Sequence, residues 1–227
     1  MKKLFYLLII SSLIISCKKN DSTETVDSTY NYFPVDIGHT WIYDVDSIGY
    51  DDNTGATIID SSHYQYMETT TETFIEADGK PAQKLDRYYR KNDSDIWASA
   101  NIWVVKRDNL RAEKVQENVR FVKLVFPLSV NSFWNGNMFN NLSSNNYFVD
   151  YFDQPSTVNG TNYNKTLKVR RDSSVNAIEE IRQFEIYARN IGLIYFESDS
   201  INTQPIDTTN LTKSRGFRYY LKLKSFQ

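Results

Sequence analysis

Phe217-Arg218-Tyr219-Tyr220-Leu221-Lys222-Leu223-Lys224, close to the carboxy terminus, alternates apolar or aromatic side chains with polar ones over eight positions. Successive side chains of an extended chain point to opposite faces, so this is the pattern of a strand with one face buried. The same period of two runs back through the chain. Trp41, Tyr43 and Val45 alternate with Ile42, Asp44 and Asp46. Val122, Leu124, Phe126 and Leu128 oppose Phe121, Lys123 and Val125, and Leu167 and Val169 interleave with Thr166, Lys168 and Arg170. Breaks rich in Asn, Asp, Ser and Gly fall at 51–55, 91–95, 107–109, 135–146, 159–160 and 202–210. Asp78-Gly79 predicts a type I′ hairpin turn between 74–77 and 83–89. The segments between breaks give on the order of nine or ten strands, enough for a meander to close. The expectation is an all-β fold with little helix, an antiparallel barrel or a strongly curved half-barrel. The one helical candidate is 176–184, where Ile178 and Ile181 are three apart, although it continues at strand spacing through Phe184, Ile186 and Ala188.

With 227 residues, 41% hydrophobic and 24% charged, the chain can bury one sizeable core. The formal net charge of −2 gives no footprint for a nucleic-acid backbone, so no nucleic-acid partner is expected. One cysteine, Cys17, rules out an intramolecular disulfide, and the core must hold the fold unaided. Lys2 and Lys3 precede an apolar and small-residue run from Leu4 to Ser16, the layout of a secretory signal. That run is shorter than the about 20 residues a spanning helix needs. Residues 18–30 are almost entirely polar and read as a flexible tether, leaving 31–227 as a single β domain.

Leu13-Ile14-Ile15-Ser16-Cys17 resembles the lipobox of bacterial lipoproteins. The resemblance implies cleavage after Ser16 (signal peptide 1–16), a diacylglycerol thioether on Cys17, and a lipidated tether over 17–30. Lys18 and Lys19 followed by scattered acids are similar to tethers of lipoproteins from the Bacteroidota. That implies a lipid-anchored protein of the outer membrane, on its periplasmic face or at the cell surface, with the bilayer as partner through acylated Cys17. Tyr32-Phe33-Pro34, Gly38 and Trp41-Ile42-Tyr43 resemble a recurring opening of exported bacterial β proteins, and Ile191-Gly192-Leu193-Ile194 is similar to a strand that follows in them. The resemblance implies folds like lipocalins or the curved half-barrel of lipoprotein carriers, and no catalytic group.

A search for chemistry finds little. There is no nucleophile elbow, phosphate loop or zinc-binding His-Glu-x-x-His. His39 and His63 could meet across strands and join Asp44 or Asp46, but nothing in their spacing requires a metal. Asp44, Asp46, Asp51, Asp52 and Asn53 cluster like calcium ligands, yet fail the EF-hand spacing and read better as a solvated hairpin loop. No catalytic residue, metal or cofactor is assigned. Trp97, Trp103 and Trp134, with Phe133, Phe139 and the asparagines of 135–146, form an aromatic and amide mixture suited to stacking a ligand. Core packing is the rival reading of those rings. Three functional classes stay open. They are a small lipophile in the β concavity, a glycan- or protein-binding surface around 131–147, and a hydrolase using two carboxylates.

Overall fold

The computed structural model describes residues 28–51, 60–176, 178–202 and 215–227. The signal segment, Cys17, most of the tether, and most of the breaks at 51–55 and 202–210 lie outside them. Thirteen strands follow in order: β1 (Thr40–Tyr50), β2 (Asp60–Ile75), β3 (Pro81–Arg90), β4 (Ala98–Arg107), β5 (Arg111–Gln116), β6 (Val119–Val125), β7 (Phe133–Asn135), β8 (Asn146–Val158), β9 (Thr161–Arg171), β10 (Ser174–Val175), β11 (Glu179–Ala188), β12 (Gly192–Asn202) and β13 (Arg215–Phe226). Twelve of them run β6-β5-β4-β3-β2-β1-β13-β12-β11-β9-β8-β7, with β10 paired only to β11. Each strand pairs antiparallel with its neighbours, and the late strand β13 lies between β1 and β12.

The two ends of this sheet come together. Val122 N–H of β6 donates to the Gly136 carbonyl just past β7 at 2.9 Å, and Trp134 Nε1 of β7 donates to the Val122 carbonyl at 3.0 Å. The sheet is therefore a nearly closed antiparallel barrel of twelve strands. Closure also explains why Val122, Lys123 and Leu124 are all buried, against the simple alternation expected there. Lys123 turns inward to an ion pair, and residues around 136–140 lie over the edge strand, where Asn140 Nδ2 donates to the Arg120 carbonyl.

Elsewhere the apolar positions of the pattern are buried, Trp41, Tyr43, Val45, Leu167, Val169, Leu221 and Leu223 among them, although Thr166 on the other face of β9 is buried as well. The strand count exceeds the expected nine or ten because 111–125 folds as the hairpin β5–β6 and because β7 and β10 are too short to show a period. The helical candidate at 176–184 is strand from Glu179 onward, so the period of two through Phe184, Ile186 and Ala188 extends back to the start of β11; residue 177 lies outside the described set. At Asp78-Gly79 only Gly79 has positive φ, and its N–H donates to the Glu76 carbonyl at 2.9 Å. This is a type I turn closed by a left-handed glycine, not type I′. The I′ geometry occurs at Asn159-Gly160, both with positive φ, joining β8 to β9 in two residues.

One end of the barrel is stoppered by the segment before β1. A 3-10 turn over Ser28–Tyr32 buries Tyr32 and Phe33. Arg107 Nη1 donates to the carbonyls of Tyr30 and Phe33 at 2.9 Å each, and Asn190 N–H donates to the Asn31 carbonyl at 2.7 Å. Trp41 Nε1 donates to the Ile191 carbonyl at 2.6 Å and Tyr43 Oη to the Leu193 carbonyl at 3.1 Å. Because β13 separates β1 from β12, these side chains cross the inner face of a whole strand to reach those acceptors. The aromatic opening and the Gly192 strand, separate features in the sequence, are thus two halves of one contact.

Gly136 sits at the seam, where an added Cβ would lie 2.5 Å from Cε1 of Tyr147, a ring buried against Trp134. Overpacking of this kind costs about 1–3 kcal/mol. Gly136→Ala is expected to lower unfolding stability by about 2 kcal/mol, read from the midpoint of urea denaturation; an unchanged midpoint would show that the seam does not hold the barrel shut.

Candidate functional site

The barrel interior holds a half-open cavity of about 340 Å³ whose lining includes Phe33, Trp41, Tyr43, Trp103, Phe196 and Tyr219. It runs from the stopper, where Phe33, Pro34 and Gly192 border it, toward Gln116 at the opposite end of β5. Six acidic and basic side chains also line it: Glu68, Arg87, Lys114, Lys123, Arg171 and Glu185. Strand register puts them inside. Glu68 lies opposite Trp41, Arg87 opposite Glu68, Lys114 opposite Val105 and Glu185 opposite Phe196, and directly paired residues share a face.

The charges form two clusters, each centred on a glutamate. Glu68 on β2 meets Arg87 Nε at 3.2 Å and Lys114 Nζ at 3.0 Å. The Arg87 guanidinium also lies 3.3 Å from the ring centre of Tyr66 and 4.2 Å from that of Trp103. Stacking lets a desolvated guanidinium keep a favourable electrostatic surround. Glu185 on β11 accepts from Lys123 Nζ, from Arg171 Nη2 at 2.7 Å and from Tyr187 Oη at 2.7 Å. Lys123 belongs to β6, so that ion pair spans the interior.

Burial pulls the Glu185 carboxyl upward, but the charges of Lys123 and Arg171 and the hydrogen bonds it accepts outweigh this and hold it at about 2. Burial is the strongest influence on Lys123 and drives its ammonium down to about 8 despite Glu185. Lys114 is lowered for the same reason, with Glu68 opposing. A general acid needs a carboxyl pushed up toward neutrality. Glu185 is set in the opposite direction, as a fixed anion between cations.

The three tryptophans do not converge. Trp103 lines the cavity and donates from Nε1 to Glu117 at 3.1 Å. Trp134 is consumed by the seam, packed on Tyr147 with its N–H on the Val122 carbonyl. Trp97 lies in the connection between β3 and β4, half-buried under the Arg90 guanidinium, 4.3 Å from its ring centre. The asparagines of 135–146 act as turn brackets: Asn135 Oδ1 accepts from the N–H groups of Asn137 and Asn145, and Asn137 Nδ2 donates to the Ser143 carbonyl. Phe133, Met138, Phe139 and Leu142 are exposed on the same connection.

His63 bonds to Asp46 at 2.8 Å, while His39 stands at the other end of β1 beside Trp41 and Phe226. Among the described residues, no three His, Cys, Asp or Glu side chains are grouped to hold a metal ion. The interior charges escaped the sequence reading because an inward Lys or Glu has the same appearance as an outward one. Pairing Trp41 with Glu68 across the β1–β2 hairpin would have exposed them, had the register been known.

No family model matches this sequence, and no curated protein matches it. Two solved structures are similar in overall path. One is a candidate exported protein from Bacteroides fragilis with a YmcC-like fold, 12% identical, with a TM-score of 0.42, covering 86% of this chain and 98% of that one. The other is a candidate lipoprotein from Parabacteroides distasonis, also 12% identical, with a TM-score of 0.36 and the same coverages.

Glu185→Gln leaves Lys123 and Arg171 without their shared anion, and breaking a buried ion pair costs about 3–5 kcal/mol. The carboxyl titrates at about 2 in the folded chain against an ordinary 4.5. Its contribution is therefore complete above pH 4.5 and drains away as pH falls through 2. Urea unfolding of wild type and variant should differ by about 3 kcal/mol at pH 7, with the gap narrowing steadily below pH 4.5. A gap that does not change with pH would remove the ion pair as its cause.

Proposed function

We propose that this chain is a lipid-anchored exported binding module, held at the outer membrane through acylated Cys17, whose barrel interior accommodates a small apolar or amphipathic ligand. The observation that carries this reading is the cavity of about 340 Å³ with Phe33, Trp41, Trp103 and Phe196 on its wall. Ligand sites are concave, largely apolar and aromatic, and studded with a few fixed polar groups, at volumes from roughly 300 Å³ upward. The anchor rests on the lipobox-like Leu13-Ile14-Ile15-Ser16-Cys17. Each buried methylene contributes about 0.8 kcal/mol, so one acyl chain holds marginally and two or three hold firmly. A body with more acidic than basic residues adds no attraction to anionic lipid, and the acyl chains must suffice.

Two measurements test the two halves separately. Fractionation of cells expressing the full chain should recover wild type with membranes and Cys17→Ala in the soluble fraction; a variant that stays with membranes refutes the anchor. For the interior, mass spectrometry of organic extracts from a chain starting at Lys18, which keeps the whole stopper and barrel, should reveal a copurifying small molecule that is lost when Leu85→Trp, on the cavity wall, occupies the space without adding charge. Identical extracts from both proteins would end the carrier reading.

A further inference from the structure

The cavity wall carries four cations, Arg87, Lys114, Lys123 and Arg171, against two carboxylates, Glu68 and Glu185. The other ionisable groups on the wall do not close the gap. Tyr43, Tyr187 and Tyr219 are each raised by burial and stay neutral. Glu117 is exposed in the β5–β6 turn and uses Oε1 on Trp103 and Asn101. Lys123 and Glu185 are both at least nine-tenths buried, and Arg171 Nε is buried with no hydrogen-bond acceptor among the described residues. Two excess positive charges on so buried a wall are costly, the same burial that pulls the Lys114 and Lys123 ammonium groups downward, and buried charges are ordinarily paired. Nothing about closing a barrel requires this excess, since long neutral side chains such as Trp41 and Tyr43 span the same interior without it.

We infer that the interior ligand is an anionic amphiphile, whose carboxylate or phosphate is taken by the excess cations of the Lys114, Lys123 and Arg171 wall while its apolar part lies against Trp41, Trp103 and Phe196. The inference rests on the interior-binding reading above and narrows it to one charge class. Arginine presents a planar fork that matches both carboxylate and phosphate, and lysine adds an unshaped point charge. Arg171 gives Nη1 to Gln183 and Nη2 to Glu185, which leaves its Nε–H for an anion, and it stands 5.1 Å from the ring centre of Phe196, so an anion there would have an apolar wall beside it. Taking the roughly 30 Å³ that one water occupies in the liquid as the unit, the cavity has room for about a dozen non-hydrogen atoms. That suits a medium-length chain or a small ring system, not a two-chain lipid.

The experiment uses the chain starting at Lys18 and three probes of one length: decanoate, decyl phosphate and decanol. Trp41 and Trp103 report occupancy by fluorescence, and calorimetry gives the affinities. Decanoate or decyl phosphate should bind at least about tenfold tighter than decanol, the scale of one charge-assisted hydrogen bond. Which anion binds tighter tells a free fatty acid from a phosphate head. Lys123→Met should shrink the anion-over-alcohol preference by about tenfold, and Glu68→Gln, which removes a negative charge at constant shape, should enlarge it. If Lys123→Met does not fold, the wild-type comparison and Glu68→Gln decide. Equal affinity for decanol and both anions overturns this inference and leaves the interior site standing. Absence of binding by all three overturns both.

Discussion

A ring of twelve antiparallel strands encloses more cross-section than aliphatic side chains can fill. Eight strands leave an interior that side chains just occupy, and sixteen or more leave an aqueous channel. At twelve, the interior must be spanned by the longest side chains available, and that is what the inner faces supply. Trp41 and Tyr43 reach past β13 to carbonyls of the β11–β12 bend and β12. Lys123 reaches from β6 to Glu185 on β11. Trp134 and the Gly136 carbonyl close the seam. Where these spokes leave space, the cavity remains.

Charged spokes are an expensive way to fill a barrel, because each ion loses its water and regains only what its partner offers. The arrangement limits that cost by giving each glutamate two cationic partners, both of which donate hydrogen bonds in the case of Glu185, and by laying Arg87 against Tyr66 and Trp103. It also fixes which strands face one another across the ring. Glu68 ties β2 to β3 and β5, and Glu185 ties β11 to β6 and β9. A purely apolar filling would slide more easily, since apolar contact has no direction.

How much of this was legible in the sequence follows from which signals are local. Alternation in Trp41-Tyr43-Val45 and Leu221-Leu223 gave the inner face directly, because one apolar face against one polar face is a property of the strand alone. The Asn159-Gly160 turn could likewise be read from two adjacent residues. Lys123 and Glu185 could not, since they stand sixty-two positions apart and only the closed ring makes them neighbours. The place of Trp134 was hidden for the same reason: its packing at the seam depends on β6 arriving beside β7. The asparagines of 135–146 left two readings open because amides that bracket a turn and amides that bind a sugar have the same composition.

The stopper at Ser28–Tyr32 also decides how the barrel bears mechanical load from its amino-terminal side. A pull there does not reach the edge of β1 first. It meets carbonyls of Tyr30 and Phe33 clamped by Arg107 from β4, Asn31 held by Asn190 at the β11–β12 bend, and Tyr32 bonded to Asp153 from β8. A strand drawn from its end unzips one bond at a time, whereas a knot fastened to three walls gives way only when all three let go together. Tension along the chain is thereby spread over the circumference, and the sheet is shielded from peeling.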